Sequence, residues 1–229
     1  MAAGITRGRY GIDAPAVVLS LLAAAAADVV MWSWRAWSLG PAFGCGLTGL
    51  AMLWSSAVGK VRQRETLIDG VALRGDERVL DVGCGRGLIL TAAARRLTTG
   101  CAVGIDVWQW KDQTGNDPRG TRGNAEREGV ADRVAVQSAD MRALPFRDAT
   151  FDVVVSSLAI HNVPSTAGRE QALREIARVL KPGGRVALQD IGRTAEYARV
   201  LKACGLHDVR RSGWSFAVVP PVRVVSAVR

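Results

Sequence analysis

One short run, Val79-Leu80-Asp81-Val82-Gly83-Cys84-Gly85-Arg86-Gly87, constrains this chain more than any other. Residues suited to a buried strand lead straight into glycines at alternate positions, and a helical pattern begins directly after them. Glycines so placed let a backbone approach a ligand where side chains would block it. A dinucleotide fingerprint requires a further glycine at position 88, which is leucine here, so pyrophosphate binding is disfavoured. Asp81, at the strand end, repels phosphate and attracts a cationic ligand. A tight strand-to-helix turn without any ligand is the alternative.

From Val61 onward the pattern alternates between strand and helix. Strand-like runs at 78–82, 102–106, 133–137, 151–156 and 184–189 are separated by helical patterns at 87–97, 118–128, 169–180 and 194–203. The runs are apolar on both faces, as strands covered by helices on both sides require. Lys181-Pro182-Gly183-Gly184 reads as a helix stop and turn. Segments 208–211 and 218–228 close the chain, and Pro220 and Pro221 suit the last of them to a sheet edge. The second strand ends in Asp106, whose carboxylate can accept bonds from two ribose hydroxyls. After the third strand, Asp140 can take a bond from an adenine amino group. The fourth strand ends beside the first, where open α/β sheets form their ligand crevice. These elements call for a ligand with adenine, ribose and a small cationic tail.

In the turn Leu80-Asp81-Val82-Gly83-Cys84-Gly85-Arg86-Gly87, in Gly104-Ile105-Asp106, in the segment from Ser138 to Phe146, in Phe151 to Ser157 and in Glu175 to Gly184, the chain resembles the class I S-adenosylmethionine-dependent methyltransferases. The resemblance covers about residues 62–229. It implies a Rossmann-like α/β fold, a seven-stranded, mostly parallel sheet with helices on both faces and an antiparallel last hairpin. It implies S-adenosyl-L-methionine as cofactor, with Asp81, Gly83 and Gly85 at the methionine part, Asp106 on the ribose and Asp140 with Met141 at the adenine. Ser156 is expected on the cofactor floor, and Cys84 and Val107 belong to the same cofactor-binding set, Cys84 chiefly as a small buried filler. No metal is expected.

Residues 107–117 form an insertion before the next helix. They either cover the adenosine or shape the acceptor pocket, with Trp108 or Trp110 stacked on a ring, or they are a surface loop. After the fourth strand comes His161, a candidate catalytic general base for a phenol, thiol or carbon acid, or else a packing residue of the following turn with Asn162. An amine-methylating Asp/Asn-Pro-Pro-aromatic motif is not present there. Cys45, Cys84, Cys101 and Cys204 lie too far apart for a disulfide framework or metal knuckle and read as reduced thiols.

Ahead of this domain the texture is different. Residues 15–34 carry one charge, Asp28, and residues 41–59 carry none. Each stretch approaches the roughly 20 residues that cross a bilayer as helix. Arg7 and Arg9 precede the first, Lys60, Arg62 and Arg64 follow the second, and Trp32, Trp34 and Trp37 cluster near the turn. The pattern is that of a two-helix hydrophobic hairpin with both ends and the catalytic domain on the cytoplasmic side of a membrane. Ala42 and Gly46, and Cys45 and Gly49, offer small-residue contacts between the helices. Helices lying flat in the interface, and a soluble alanine-rich cap, are the other readings. Residues 1–60 are thus expected as the hairpin and 61–229 as the methyltransferase domain. The 30 Lys+Arg against 21 Asp+Glu give +9, compatible with anionic lipid or nucleic acid. No aromatic-interleaved basic stripe supports nucleic acid. The expected activity is methylation of a small lipophilic acceptor (phenol or quinone, lipid or thiol) at a membrane. An anchored RNA or protein methyltransferase and a non-catalytic cofactor-binding scaffold are the alternatives.

Overall fold

In the computed structural model the described residues are 9–32, 40–109 and 112–229. Trp34, Arg35 and Trp37 of the expected hairpin turn, the flanking Arg7, and Trp110 of the insertion lie outside them. Strands β1 (Arg78–Val82), β2 (Cys101–Asp106), β3 (Val134–Ser138), β4 (Phe151–Ser157), β5 (Leu180–Asp190), β6 (His207–Arg211) and β7 (Arg223–Val228) form one sheet in the order β3-β2-β1-β4-β5-β7-β6. The first five are parallel, while β7 is antiparallel to both β5 and β6. The order reverses between β1 and β4, which opens the ligand crevice at their carboxyl ends.

Helices cover both faces. On one, α3 (Lys60–Val71) and α4 (Leu88–Ala94) bury Leu67, Ile68 and Leu90 against Val79. On the other, α6 (Thr166–Val179) and α7 (Thr194–Ala203) bury Leu173, Ile176 and Leu201 against Leu80 and Val82. The alternation of Val79 and Leu80 between the two cores is the period-two geometry of a strand. Helix α5 (Pro118–Arg127) starts on Asp117, whose carboxylate accepts from the backbone N–H groups of Arg119 and Gly120.

Three boundaries differ from the sequence expectation. Lys181-Pro182-Gly183-Gly184 does not precede β5; it is an irregularity within it, because pairing with β4 begins at Leu180 and resumes at Arg185. Pro220 and Pro221 lie before β7, not inside it, so β7 keeps its donors and sits between β5 and β6; the edge strand is β6. Helix α3 is not apparent from the apolar pattern, because the face it buries includes Lys60, Gln63 and Arg64.

The N-terminal helices α1 (Pro15–Trp32) and α2 (Gly40–Trp54) pack against each other. Gly46 and Gly49 are the close points: a Cβ on Gly49 would come 2.8 Å from Leu22 and one on Gly46 would come 3.6 Å from Ala25. Their outer faces are uncovered, with Leu19, Phe43, Leu47 and Leu50 all more than half exposed. A wide π turn, Ser55–Gly59, joins α2 to α3 without a break, so Gly40–Val71 is one helical run of 32 residues. The composition change near residue 60 therefore falls inside a helix. Of the three cations that follow the second apolar stretch, only Arg62 is exposed; Lys60 and Arg64 are buried in the domain.

Candidate active site

The strand tips of β1, β2, β4 and β5 and the turn after β1 wall a cavity of about 640 Å³. The turn is docked on β2, where Gly83 N and Cys84 N both donate to Ile105 O at 2.9 Å. Gly83 has φ 74°, and a Cβ there would run into the methyl group of Ala159, so no other residue fits this position. Cys84 fills the space beside Gly104, and burial pushes its thiol pKa up, away from reactivity.

Asp81 is buried in the cavity wall. It is 1% exposed, neither carboxylate oxygen has a hydrogen-bond partner, and it lines the cavity. Burial, with the charge of Asp106 nearby as a smaller contribution, pushes its pKa up to about 8. Asp106 is held from both sides: Oδ2 accepts from Gly85 N at 2.8 Å and Oδ1 from Trp108 N at 2.7 Å. Each of its oxygens keeps a second lone pair. Asp140 and Met141 also line the cavity, but the Asp140 carboxylate is already gripped by Arg142, with Nη2 to Oδ2 at 2.6 Å. That guanidinium holds Asp140 below the usual carboxylate range. Val107, half exposed, lies on the wall.

Ser156 is displaced from the expected position. Its hydroxyl donates to Val82 O at 2.7 Å, tying β4 to β1 behind the wall, and the next residue, Ser157, lines the cavity. Strand alternation accounts for the one-residue difference.

His161 sits in the short turn Ile160–Asn162 after β4 and lines the cavity. Its Nδ1 is buried 2.7 Å from Asp190 Oδ1, off the line of an ideal hydrogen bond, while the ring as a whole remains about a quarter exposed. Asp190, at the end of β5, is itself 1% exposed. It accepts from Tyr197 Oη at 2.9 Å, Ile191 N at 2.8 Å and His161 N at 3.2 Å. The arrangement is a histidine backed by a fixed, buried carboxylate, a pair chemically suited to proton abstraction and equally compatible with packing. Asp190 and Tyr197 did not emerge from the sequence, although an acid closing an apolar strand is the same signal that marks Asp81 and Asp106.

The insertion at 107–117 borders the cavity, as the pocket-forming reading expects, and it also has a partner elsewhere in the chain. It receives the N-terminal segment: Thr114 N donates to Ile12 O at 3.2 Å and Gln113 Nε2 to Asp13 Oδ1 at 2.9 Å. Gln109, Asp112, Gln113 and Asn116 wall the cavity, whereas Trp108 turns its ring N–H to Ser138 Oγ at 2.8 Å. Lys60 completes the closure, donating to Tyr10 O, Gly11 O and Asp13 Oδ1 at 2.7–3.0 Å.

The methyltransferase domain family matches residues 80–188. The 27-O-demethylrifamycin SV methyltransferase of Amycolatopsis mediterranei is 37% identical over 132 residues, 56% of this chain and 44% of the relative. The ubiquinone/menaquinone biosynthesis C-methyltransferase of Roseobacter denitrificans is 33% identical over 157 residues, 69% of this chain and 56% of the relative. Residues 80–188 are thus a methyltransferase domain, and these relatives support a class I S-adenosylmethionine-dependent methyltransferase. The chain spans about half the length of the curated relatives it matches. The fold agrees: a SAM-dependent methyltransferase from Aquifex aeolicus superposes with a TM-score of 0.58 at 20% identity, over 74% of this chain and 90% of that one.

The cofactor of this methyltransferase family is S-adenosylmethionine, and the residues present fit it. The orphaned Asp81 carboxylate offers an acceptor to a cationic donor, the turn at Gly83 gives close backbone approach, and Asp106 offers free lone pairs for ribose hydroxyls. Asp106→Ala is expected to weaken cofactor binding by about 1.5–3 kcal/mol, the value of a charge-assisted hydrogen bond. Titration with S-adenosylhomocysteine measures this, alongside a melting curve that registers loss of the Gly85 and Trp108 contacts. An unchanged dissociation constant would remove Asp106 from the ribose site.

Proposed function

We propose that the protein is a membrane-anchored methyltransferase whose acceptor is a small lipophilic molecule, of the phenol or quinone, lipid or thiol class, arriving from the bilayer side. The observation that carries this reading is the composition of the cavity wall. Asp81, Gly83 and Asp106 of the cofactor turn share one cavity with Met52 and Ser55 at the base of the hairpin and with Val218, Val219 and Pro220. The 18 residues of α1 make a helix of about 27 Å, close to the thickness of a bilayer core. The uncovered apolar faces of α1 and α2 and the exposed Arg9 and Arg62 support a hairpin crossing with the catalytic domain on the cytoplasmic side. The relative named for ubiquinone and menaquinone biosynthesis supports a quinone-like acceptor.

Bound at Asp81 and Asp106, the cofactor supplies an electrophilic methyl group on a sulfonium, which leaves alignment and proton removal to the protein. His161 takes the acceptor's proton as the new bond to carbon forms. Asp190 orients the imidazole through Nδ1 and stabilises the imidazolium that results. The segment 10–14, Lys60 and the insertion close the cofactor side against water.

The full chain is expected to sediment with membranes in high salt and to be released by detergent. Release by salt alone would mean a peripheral protein. Labelled cofactor added to native membranes should place radioactivity in the organic extract, and label in RNA or protein instead would overturn the acceptor assignment.

A further inference from the structure

The loop 212–222 between β6 and β7 shows two large side chains to solvent: Trp214 is 50% exposed and Phe216 75%. Neither contributes to the cores described above. The loop is fastened to the base of the hairpin. Ser55 Oγ accepts from Val219 N at 2.8 Å, and Gly59 lies against Ala217 O so closely that a Cβ would not fit. Trp54, half exposed at the end of α2, is therefore a neighbour of the loop in the fold. The other side of the same loop, through Val218, Val219 and Pro220, lines the cavity.

Arginines flank the loop in the chain, at 210, 211 and 223. The Arg223 guanidinium lies 4.5 Å from the centroid of the Trp214 ring. Arg210 and Arg211, on the edge strand β6, are exposed and form no ion pair among the described residues. The one acid of that strand, Asp208, is next to His207, at 3.2 Å. Exposed indole and phenyl rings beside unpaired arginines have the composition of a surface that sits in an anionic headgroup layer.

We propose that the loop 212–222, with Trp214 and Phe216 as anchors and Arg210, Arg211 and Arg223 as charge partners, is a second membrane contact that docks on an anionic phospholipid surface. This rests on the anchored reading given above and extends it. The hairpin fixes the chain in the bilayer, and the loop sets the cavity mouth at the headgroup level, where an amphiphilic acceptor presents its polar end. Each arginine contributes about fivefold to the docking equilibrium, the equivalent of the usual gain of a basic residue near such a surface.

The test uses the full chain in vesicles, with Cys45, Cys101 and Cys204 replaced by serine and an environment-sensitive fluorophore on one introduced cysteine. Labels at Phe216→Cys, at Leu19→Cys in the hairpin and at Ala131→Cys, beside the opposite sheet edge, are read for quenching by spin-labelled lipid. Phosphatidylcholine vesicles are compared with vesicles containing phosphatidylglycerol. Position 19 is expected to be quenched in both. Position 216 should be quenched strongly only with the anionic lipid, and position 131 in neither. The double variant Arg210→Gln/Arg211→Gln should cost position 216 most of its anionic preference. Quenching at 19 without quenching at 216 overturns the docking loop and leaves the anchor intact. Absence of quenching at both overturns the anchored reading itself. Equal quenching at 216 in both vesicle types overturns the role of the arginines.

Discussion

Replacing His161 by alanine is expected to lower kcat by about 10²–10⁴-fold, the contribution of a positioned general base, and to leave the dissociation constant for S-adenosylhomocysteine nearly unchanged. The expectation follows from placement. His161 borders the same cavity as the cofactor turn, yet its ring is attached to Asp190 and not to the glycine turn. Asp190→Asn should cost less in rate than His161→Ala, because it removes the orienting charge but keeps the imidazole. The Tyr197 and Ile191 donors would then face an amide, so a melting curve has to accompany the rate. Full activity in His161→Ala would return the residue to a packing role.

Cofactor affinity should climb roughly tenfold per pH unit between about pH 5.5 and 7, and Asp81→Asn should flatten that profile. In the free protein burial holds the Asp81 carboxyl protonated up to about pH 8. Pairing with the cofactor's ammonium requires the carboxylate, so binding in this window expels a proton. Calorimetry in two buffers of different ionisation heat detects it. The sign for stability is opposite. A folded-state pKa above the unfolded value means that the native state holds the extra proton, so Asp81 favours folding below about pH 4. That contribution is lost as pH rises to about 8, at up to roughly 1.4 kcal/mol per unit. Asp81→Asn should therefore bind cofactor weakly at pH 7 while melting no lower than the parent at pH 8. A pH-independent affinity in the parent protein would separate Asp81 from the cationic group.

The parts of the site that were legible in the sequence are those encoded locally. Asp81, Asp106 and the glycines announce themselves because a strand end, a turn and a helix start are adjacent in the chain, and all of them border the cavity or its turn. Asp190 carries the same local signature at the end of β5, but no turn of alternating glycines follows it to mark it as a site residue. Lys60 and Arg64 illustrate what local reading cannot supply. Beside an apolar stretch they look like interfacial cations, but Tyr10, Gly11 and Asp13 fold back some fifty residues to bury Lys60, and Tyr10 and Glu128 enclose Arg64. Their polar burial also blurs the helical period of α3. Ser156 failed for a finer reason: the strand position is right, but the side of the sheet depends on a phase that pairing with Val82 fixes. Asp140 lines the cavity, but nothing in its sequence neighbourhood announces how fully Arg142 occupies its carboxylate.

The unbroken passage from α2 through the π turn into α3 has a mechanical consequence. A rod of 32 residues is about 48 Å long, and its far end is wedged under the sheet by Leu67, Ile68 and Val71. The catalytic unit is thus not tethered by a slack leash but mounted on a stiff mast, so the tilt of the hairpin dictates the heading of the whole head. Under the membrane-anchored reading proposed above, turnover would respond to bilayer thickness, and a few glycines spliced into the joint at 55–59 would let the head swivel and lose that response.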